Sequence, residues 1–269
     1  MGGERRLDGT VTSIPVLVLA GAAVGLLYGL FGVGSAFATP ILAVLGVPAL
    51  AAVASPLPAL LPGSASGGWA YARTGLVDAK LARRTLLGAA PACIAGSLSS
   101  RWVGGPWLLV LSGLVLVVVG ARVLASRRIS GAAATTAPTT AAWVDHRGAV
   151  VAVGAAIGFV AGLLANGGGF LLVPTFLLAV GLTLPEATAT SLVVVTVLSV
   201  PAVLTHALIG DIDWSVAVPF AAGLVPASAL AALLASRLDV GHLRVAFGAL
   251  LVAVGGWFLW RELRLLGLA

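Results

Sequence analysis

Two glycine-rich stretches hold the residues whose spacing points most clearly to chemistry. The first reads Gly29-Leu-Phe-Gly32-Val-Gly34-Ser35, followed by Phe37 and Thr39-Pro40. The second reads Gly162-Leu-Leu-Ala-Asn166-Gly167-Gly168-Gly169-Phe170, followed by Val173-Pro174. Each glycine weakens a helix by about 1 kcal/mol relative to alanine. Three in succession beside Asn166 therefore predict a helix interruption. The helix that restarts after a break presents free N–H groups and a partial positive charge, which together suit an anion. Hydroxyls that can donate to an oxyanion follow at Ser55, Thr190 and Ser191, and Asn166 offers an amide. The candidate binding set is Gly32, Gly34, Ser35 and Ser55 in the first half, with Asn166, Gly167, Gly168, Gly169, Thr190 and Ser191 in the second. Ser35 and Thr39 are weaker hydroxyl candidates. Structural roles compete with each assignment. A serine or threonine hydroxyl can bond back to its own helix, an asparagine can cap one, and small residues permit close helix packing. Packing is the preferred reading for Gly25, Gly29, Gly158 and Gly162. A dinucleotide-binding loop is excluded, because no strand precedes either stretch and no acidic partner follows at the expected spacing.

These residues must be positioned by membrane helices. Of 269 residues, 60% are hydrophobic and 9% charged, whereas a soluble domain is nearer a quarter charged. Such a chain cannot cover a water-facing surface, and it is far too apolar to be disordered. Cys93 is the sole cysteine, so a disulfide scaffold is excluded. Only two tyrosines and many unbroken apolar runs argue for helices over a β-barrel. Runs fall at about 14–31, 36–47, 49–72, 85–100, 106–121, 148–165, 170–180, 187–208, 215–235 and 245–260. A crossing needs about 20 helical residues. The runs 36–47 and 170–180 are too short for one and read as half-helices or re-entrant segments. The expected fold is thus an all-α polytopic membrane protein with about 8–10 helical segments. Its net charge of +6 sits at termini and between runs, which fits topology and anionic headgroups, not nucleic acid.

The chain also matches itself at an offset near 135. Gly25 and Gly29 face Gly158 and Gly162, Pro40 faces Pro174, and Ser55 faces Ser191. Further along, Gly75 and Asp78 face Gly210 and Asp213, Gly88 and Pro91 face Gly223 and Pro226, and Gly113 and Gly120 face Gly248 and Gly255. This predicts membrane repeats over residues 14–124 and 148–261, joined by a cytoplasmic linker at 125–147 whose segment Ser126–Ala142 is rich in Ala, Thr, Ser and Gly. The gap Arg73–Arg84 is basic and expected inside, while its counterpart Ile209–Trp214 carries Asp211 and Asp213 and is expected outside. The copies are therefore expected to be inverted, with both termini outside, ten cations inside and five outside. Inverted repeats with broken helices are the usual plan of a secondary transporter, with its site near the midplane between the copies.

Few other residues offer chemistry. His206 lies opposite Tyr71 in the repeat. It can titrate near neutrality and move a proton, or serve as a solvated interfacial imidazole. His146 and His242 read as loop residues, and Cys93 as apolar packing. The seven tryptophans lie near run ends, as an aromatic belt requires. No metal-ligand spacing, nucleophile or acid–base pair lies at membrane depth, so no enzyme, metal or cofactor is expected.

The stretches Gly29–Pro40 and Gly162–Pro174, with the segments Ala51–Ser55 and Ala187–Ser191 after them, resemble the sulfite exporter TauE/SafE family of membrane transporters. The resemblance extends over both copies and is closer in the second. In the first, Ser35 and Ala36 stand where glycines are common, and Ala54-Ser55-Pro56 replaces a Thr-Ser pair. The resemblance implies export of sulfite, a sulfonate or a related sulfur oxyanion across the cell membrane. The alternatives are a carrier for another small solute, such as a carboxylate, and a non-transporting membrane scaffold. The expected partners are a small anionic substrate, protons through His206, and the lipid bilayer. A homo-oligomer is a further option.

Overall fold

The computed structural model describes residues 13–31, 35–73, 75–130, 146–165, 168–235 and 240–267. The helices are α1 Ile14–Phe31, α2 Ser35–Val44, α3 Ala49–Ala54, α4 Leu57–Ala72, α5 Ala79–Val103 and α6 Gly105–Ser130, then α7 Arg147–Leu163, α8 Gly169–Thr175, α9 Leu184–Ile209, α10 Trp214–Ala235 and α11 Val240–Leu265. A π-helical turn, Phe176–Val180, continues α8 just past Pro174. No strand occurs among the described residues. Hydrocarbon offers no hydrogen bonds to a backbone, so a lipid-embedded chain must satisfy its N–H and C=O groups within helices. Five helices are long and apolar enough to cross a membrane: Ile14–Phe31, Ala49–Trp69, Gly105–Ala125, Pro185–Ile209 and Trp214–Ala231. The chain is a multi-pass membrane protein.

The two shortest apolar runs become the two short helices after the glycine stretches, α2 and α8. Most of the sequence between the expected copies lies outside the described residues. So do Gly32, Gly34, Asn166 and Gly167, four of the candidate binding residues.

Helix pairing follows the small residues. α1 packs along α10 and α5 along α7, more extensively than either pairs with its chain neighbours. A Cβ added to Gly158 would overlap the Ala89 carbonyl, and one added to Gly88 would overlap that of Val151. Gly162 meets Cys93 in the same manner, so α5 and α7 run parallel with backbones in contact. On the other side, Gly21 and Gly25 approach Phe220 and Leu224, and Gly223 approaches Val18, making α1 and α10 parallel. The packing role expected for Gly25, Gly158 and Gly162 is what these contacts display. By contrast α6 and α11 are antiparallel: Gly113 meets Leu259, and Gly120 meets Leu251. α4 and α9 are also antiparallel, since Ser64 meets Thr196 while Gly68 meets Leu192.

Hydroxyls inside this core mostly bond to their own helices, as Ser112 does to Leu108 and Ser199 to Val195. Large apolar residues line the outside, where lipid takes the place of water. Leu208 is 88% exposed and Trp102 86%. Trp69, Trp107, Trp214, Trp257 and Trp260 are also exposed, which fits the expected anchoring. His242, expected in a loop, lies within α11.

The glycine contacts yield a test with opposite signs. Gly158→Ala adds a methyl where a carbonyl already sits and should cost about 1–3 kcal/mol. Gly256→Ala enters open space on α11 and should stabilise by up to about 1 kcal/mol through helix propensity. Thermal midpoints of the two variants in detergent, each against the parent, check both signs.

Candidate functional site

α2 and α8 are the helices that restart after the glycine stretches, and they touch one another. α8 begins at Gly169, and Gly168 before it adopts φ +77. That left-handed turn is costly for any residue with a Cβ. Gly168 and Gly169 are both buried. Ser35 opens α2. One turn along α2, the Thr39 hydroxyl is fully buried and has no hydrogen-bond partner among the described residues. A buried hydroxyl left unpaired costs free energy, and the Tyr28 hydroxyl on α1 is a second one.

The expected hydroxyls at Ser55, Thr190 and Ser191 have hydrogen-bond partners of their own. Ser55 lies at the junction of α3 and α4, where its oxygen accepts from the Asp213 N–H at 3.0 Å. Thr190, near the start of α9, accepts from the Asp78 N–H at 3.0 Å. Both are fully buried. Asp78 is the N-cap of α5, with its carboxylate accepting from Leu81. Asp213 immediately precedes α10 and accepts from the Ser215 N–H and hydroxyl. Each hydroxyl thus fixes the start of a helix in the other half of the chain. The exchange also revises the repeat register. Asp78 to Asp213 and Ser55 to Thr190 are both steps of 135 residues, so the structural counterpart of Ser55 is Thr190, not Ser191. Ser191 donates to the Thr188 carbonyl in its own helix. The self-match could not separate the two, because Thr190 and Ser191 are adjacent hydroxyls.

His206 departs further from its expected setting. It is 1% exposed, not a solvated interfacial ring. Nδ1 lies 3.1 Å from the Asp211 carboxylate and Nε2 3.1 Å from the Gly162 carbonyl oxygen. Ser97 also donates to that carbonyl, at 3.3 Å. Neither Asp211 nor Ser97 was singled out by spacing. Asp211 has Leu76 at the matching position of the first half, and that loss of symmetry was its available signal.

A cleft of about 240 Å³ lies between α6 and α8, lined by Val118, Val119, Arg122, Leu171, Pro174, Thr175 and Leu178. Arg122 is its charged residue, and its walls are otherwise largely apolar. Among the described residues, no group of three His, Cys, Asp or Glu is placed to hold a metal.

The hydroxyl–amide exchange can be tested by shape-conserving substitution. Thr190→Val removes the acceptor of the Asp78 N–H and should cost about 0.5–1.5 kcal/mol. Thr190→Ser keeps the acceptor and should cost clearly less. Thermal midpoints of both variants in detergent decide between them, and equal losses would remove the hydrogen bond from the explanation.

Comparison with known proteins now adds to this geometry. The sequence pattern of the family described as "Sulfite exporter TauE/SafE" matches residues 17–258. Two curated proteins, each named "Probable membrane transporter protein", come from Xylella fastidiosa strains 9a5c and Temecula1. Each is 30% identical over 265 residues, covering 94% of this chain and 97% of the relative. No solved structure matches. With the all-helical architecture and a family match across nearly the whole chain, this protein belongs to the sulfite exporter TauE/SafE family and is a membrane transporter.

Proposed function

We propose that this transporter exports a small sulfur oxyanion, such as sulfite or a sulfonate, across the plasma membrane by alternating access. The observation that carries the reading is the meeting of α2 and α8, the two helices that restart after glycine-rich breaks. In this reading the N-terminal end of each supplies a partial positive charge and backbone amides to the anion. The family's description supplies the substrate class. Charged groups are absent from the middle of the apolar runs, so dipoles, backbone amides and hydroxyls are the tools left for holding an anion. The same tools release it readily, which a carrier requires.

The two halves act as inverted copies in this reading. α4 and α6 are the counterparts of α9 and α11, and each runs antiparallel to its counterpart. Copies related by translation would keep counterparts parallel. Both termini and the loop at Asp211–Asp213 then face outside, and the basic gap at Arg73–Arg84 faces inside. Gly32, Gly34 and Ser35 of the first copy line the site with Asn166 and Gly167–Gly169 of the second, and the unpartnered Thr39 joins them. Ser55 and Thr190 each keep a hydroxyl proton to donate, but their first task is to hold α10 and α5. Ser191 has given its proton to Thr188 and drops out of the ligand set. The Arg122 cleft beside α8 opens towards the cytoplasm and gathers the anion there. Efflux needs no coupling ion, because an inside-negative potential favours it by about 2.3 kcal/mol per charge per 100 mV.

Purified protein in liposomes loaded with labelled sulfite tests this directly. An inside-negative potential should drive efflux that excess unlabelled sulfite or a sulfonate suppresses and a carboxylate does not. Thr39→Val and Asn166→Leu should slow that efflux about tenfold, the equivalent of one lost hydrogen bond to a charged ligand. Protein-containing and empty liposomes that leak sulfite and sulfonates equally would refute the assignment. Suppression by carboxylates alone would move it to the alternative carrier.

A further inference from the structure

We infer that His206 and Asp211 form a proton-binding latch that holds the end of α7. The carboxylate of Asp211 and the carbonyl of Gly162 are both acceptors, and one ring nitrogen of His206 faces each at 3.1 Å. A neutral imidazole carries one N–H. With Asp211 ionised it can serve one acceptor and leaves the other facing a lone pair. One added proton, on the ring or on the carboxyl, satisfies both contacts. The pair is almost closed to water, with side chains 1% and 9% exposed, so an unmet contact there is costly.

Gly162 is where that proton acts. Its carbonyl belongs to the last turn of α7, and the Ala165 N–H also turns back to it. Asn166–Gly169 follow at once. A helix C-terminus prefers a cationic or donating cap. With the proton bound, His206 and Ser97 both donate to Gly162 and the end of α7 is tied to α9 and α5. With the proton gone, the ring is free to serve Asp211 alone, and Ser97 remains the one side-chain donor.

The groups that face the pair are few. On α5, Cys93 faces Leu198 about two turns away. Arg101 is exposed one turn beyond Ser97, and Lys80, Arg83 and Arg84 cluster at the other end of that helix. Tyr71 and the adjoining Arg73 lie at the far end of α4, and α7 carries Arg147 at its own far end. α8, the π turn and α10 carry no titratable side chain. Asp213 shares the loop but uses its carboxylate on Ser215. The first copy lacks the device, with Tyr71 and Leu76 at the matching positions. The latch is therefore one-sided. Its proton comes from the outer aqueous phase, a direction that rests on the topology proposed above.

Amide hydrogen exchange on the whole protein in nanodiscs tests the latch without any substrate. After correction for intrinsic exchange, a peptide covering residues 156–165 should lose protection about fivefold or more between pH 5.5 and 8.5, while one covering 21–31 should not. His206→Gln should abolish the pH dependence. Asp211→Asn should keep protection high throughout, because the new amide donates to Nδ1 and leaves Nε2–H for Gly162. Equal pH dependence in all three proteins, or none in the parent, would overturn the latch. Because no sulfite is involved, failure of the anion assignment would leave this result standing, and the converse also holds.

Discussion

The constraint on which this structure depends is contact between helix backbones at glycine. In lipid there is no hydrophobic force to press helices together, so association relies on close packing and hydrogen bonds. α5 and α7 meet at Gly88, Gly96, Gly154, Gly158 and Gly162, and α1 and α10 at Gly21, Gly25 and Gly223. Both pairs join one half of the chain to the other. The buried apolar core is drawn from both halves. Each supplies the helix that the other needs, and the Ser55–Asp213 and Thr190–Asp78 hydrogen bonds fasten the joint at the helix starts. This exchange leaves α2 and α8 facing one another.

That arrangement accounts for what the site contains and what it lacks. A fixed cation at the centre would hold an anion tightly and would itself need a partner once the anion left. Helix ends and a buried hydroxyl offer weaker, neutral recognition that survives an empty site. In the proposed reading the His206–Asp211 pair acts on the end of α7 and not on the anion.

Much of this was legible in the sequence because glycine, proline and charge have few structural uses in a membrane. Gly25, Gly158 and Gly162 were readable as packing residues, and the short runs after the glycine stretches as short helices. The hydroxyls were harder. A serine or threonine on a helix can bond forwards, backwards or across, and spacing alone did not show that Ser55 and Thr190 accept from distant aspartate amides. The one-residue error at Ser191 arose because neighbouring hydroxyls are interchangeable in a self-match. His206 was visible as the one histidine in a long apolar run, but its burial depends on Asp211 folding back beneath it after Gly210. That is a tertiary fact with no local signature.

The claim beneath all of this is that the halves are inverted, and labelling from outside intact cells tests it most directly. In a Cys93→Ala background, single cysteines would be placed at Ser215, after the acidic loop, and at Leu76, in the basic one. The account predicts that a membrane-impermeant maleimide labels Ser215→Cys in intact cells and Leu76→Cys only after permeabilisation. Labelling of both from the same side would contradict it.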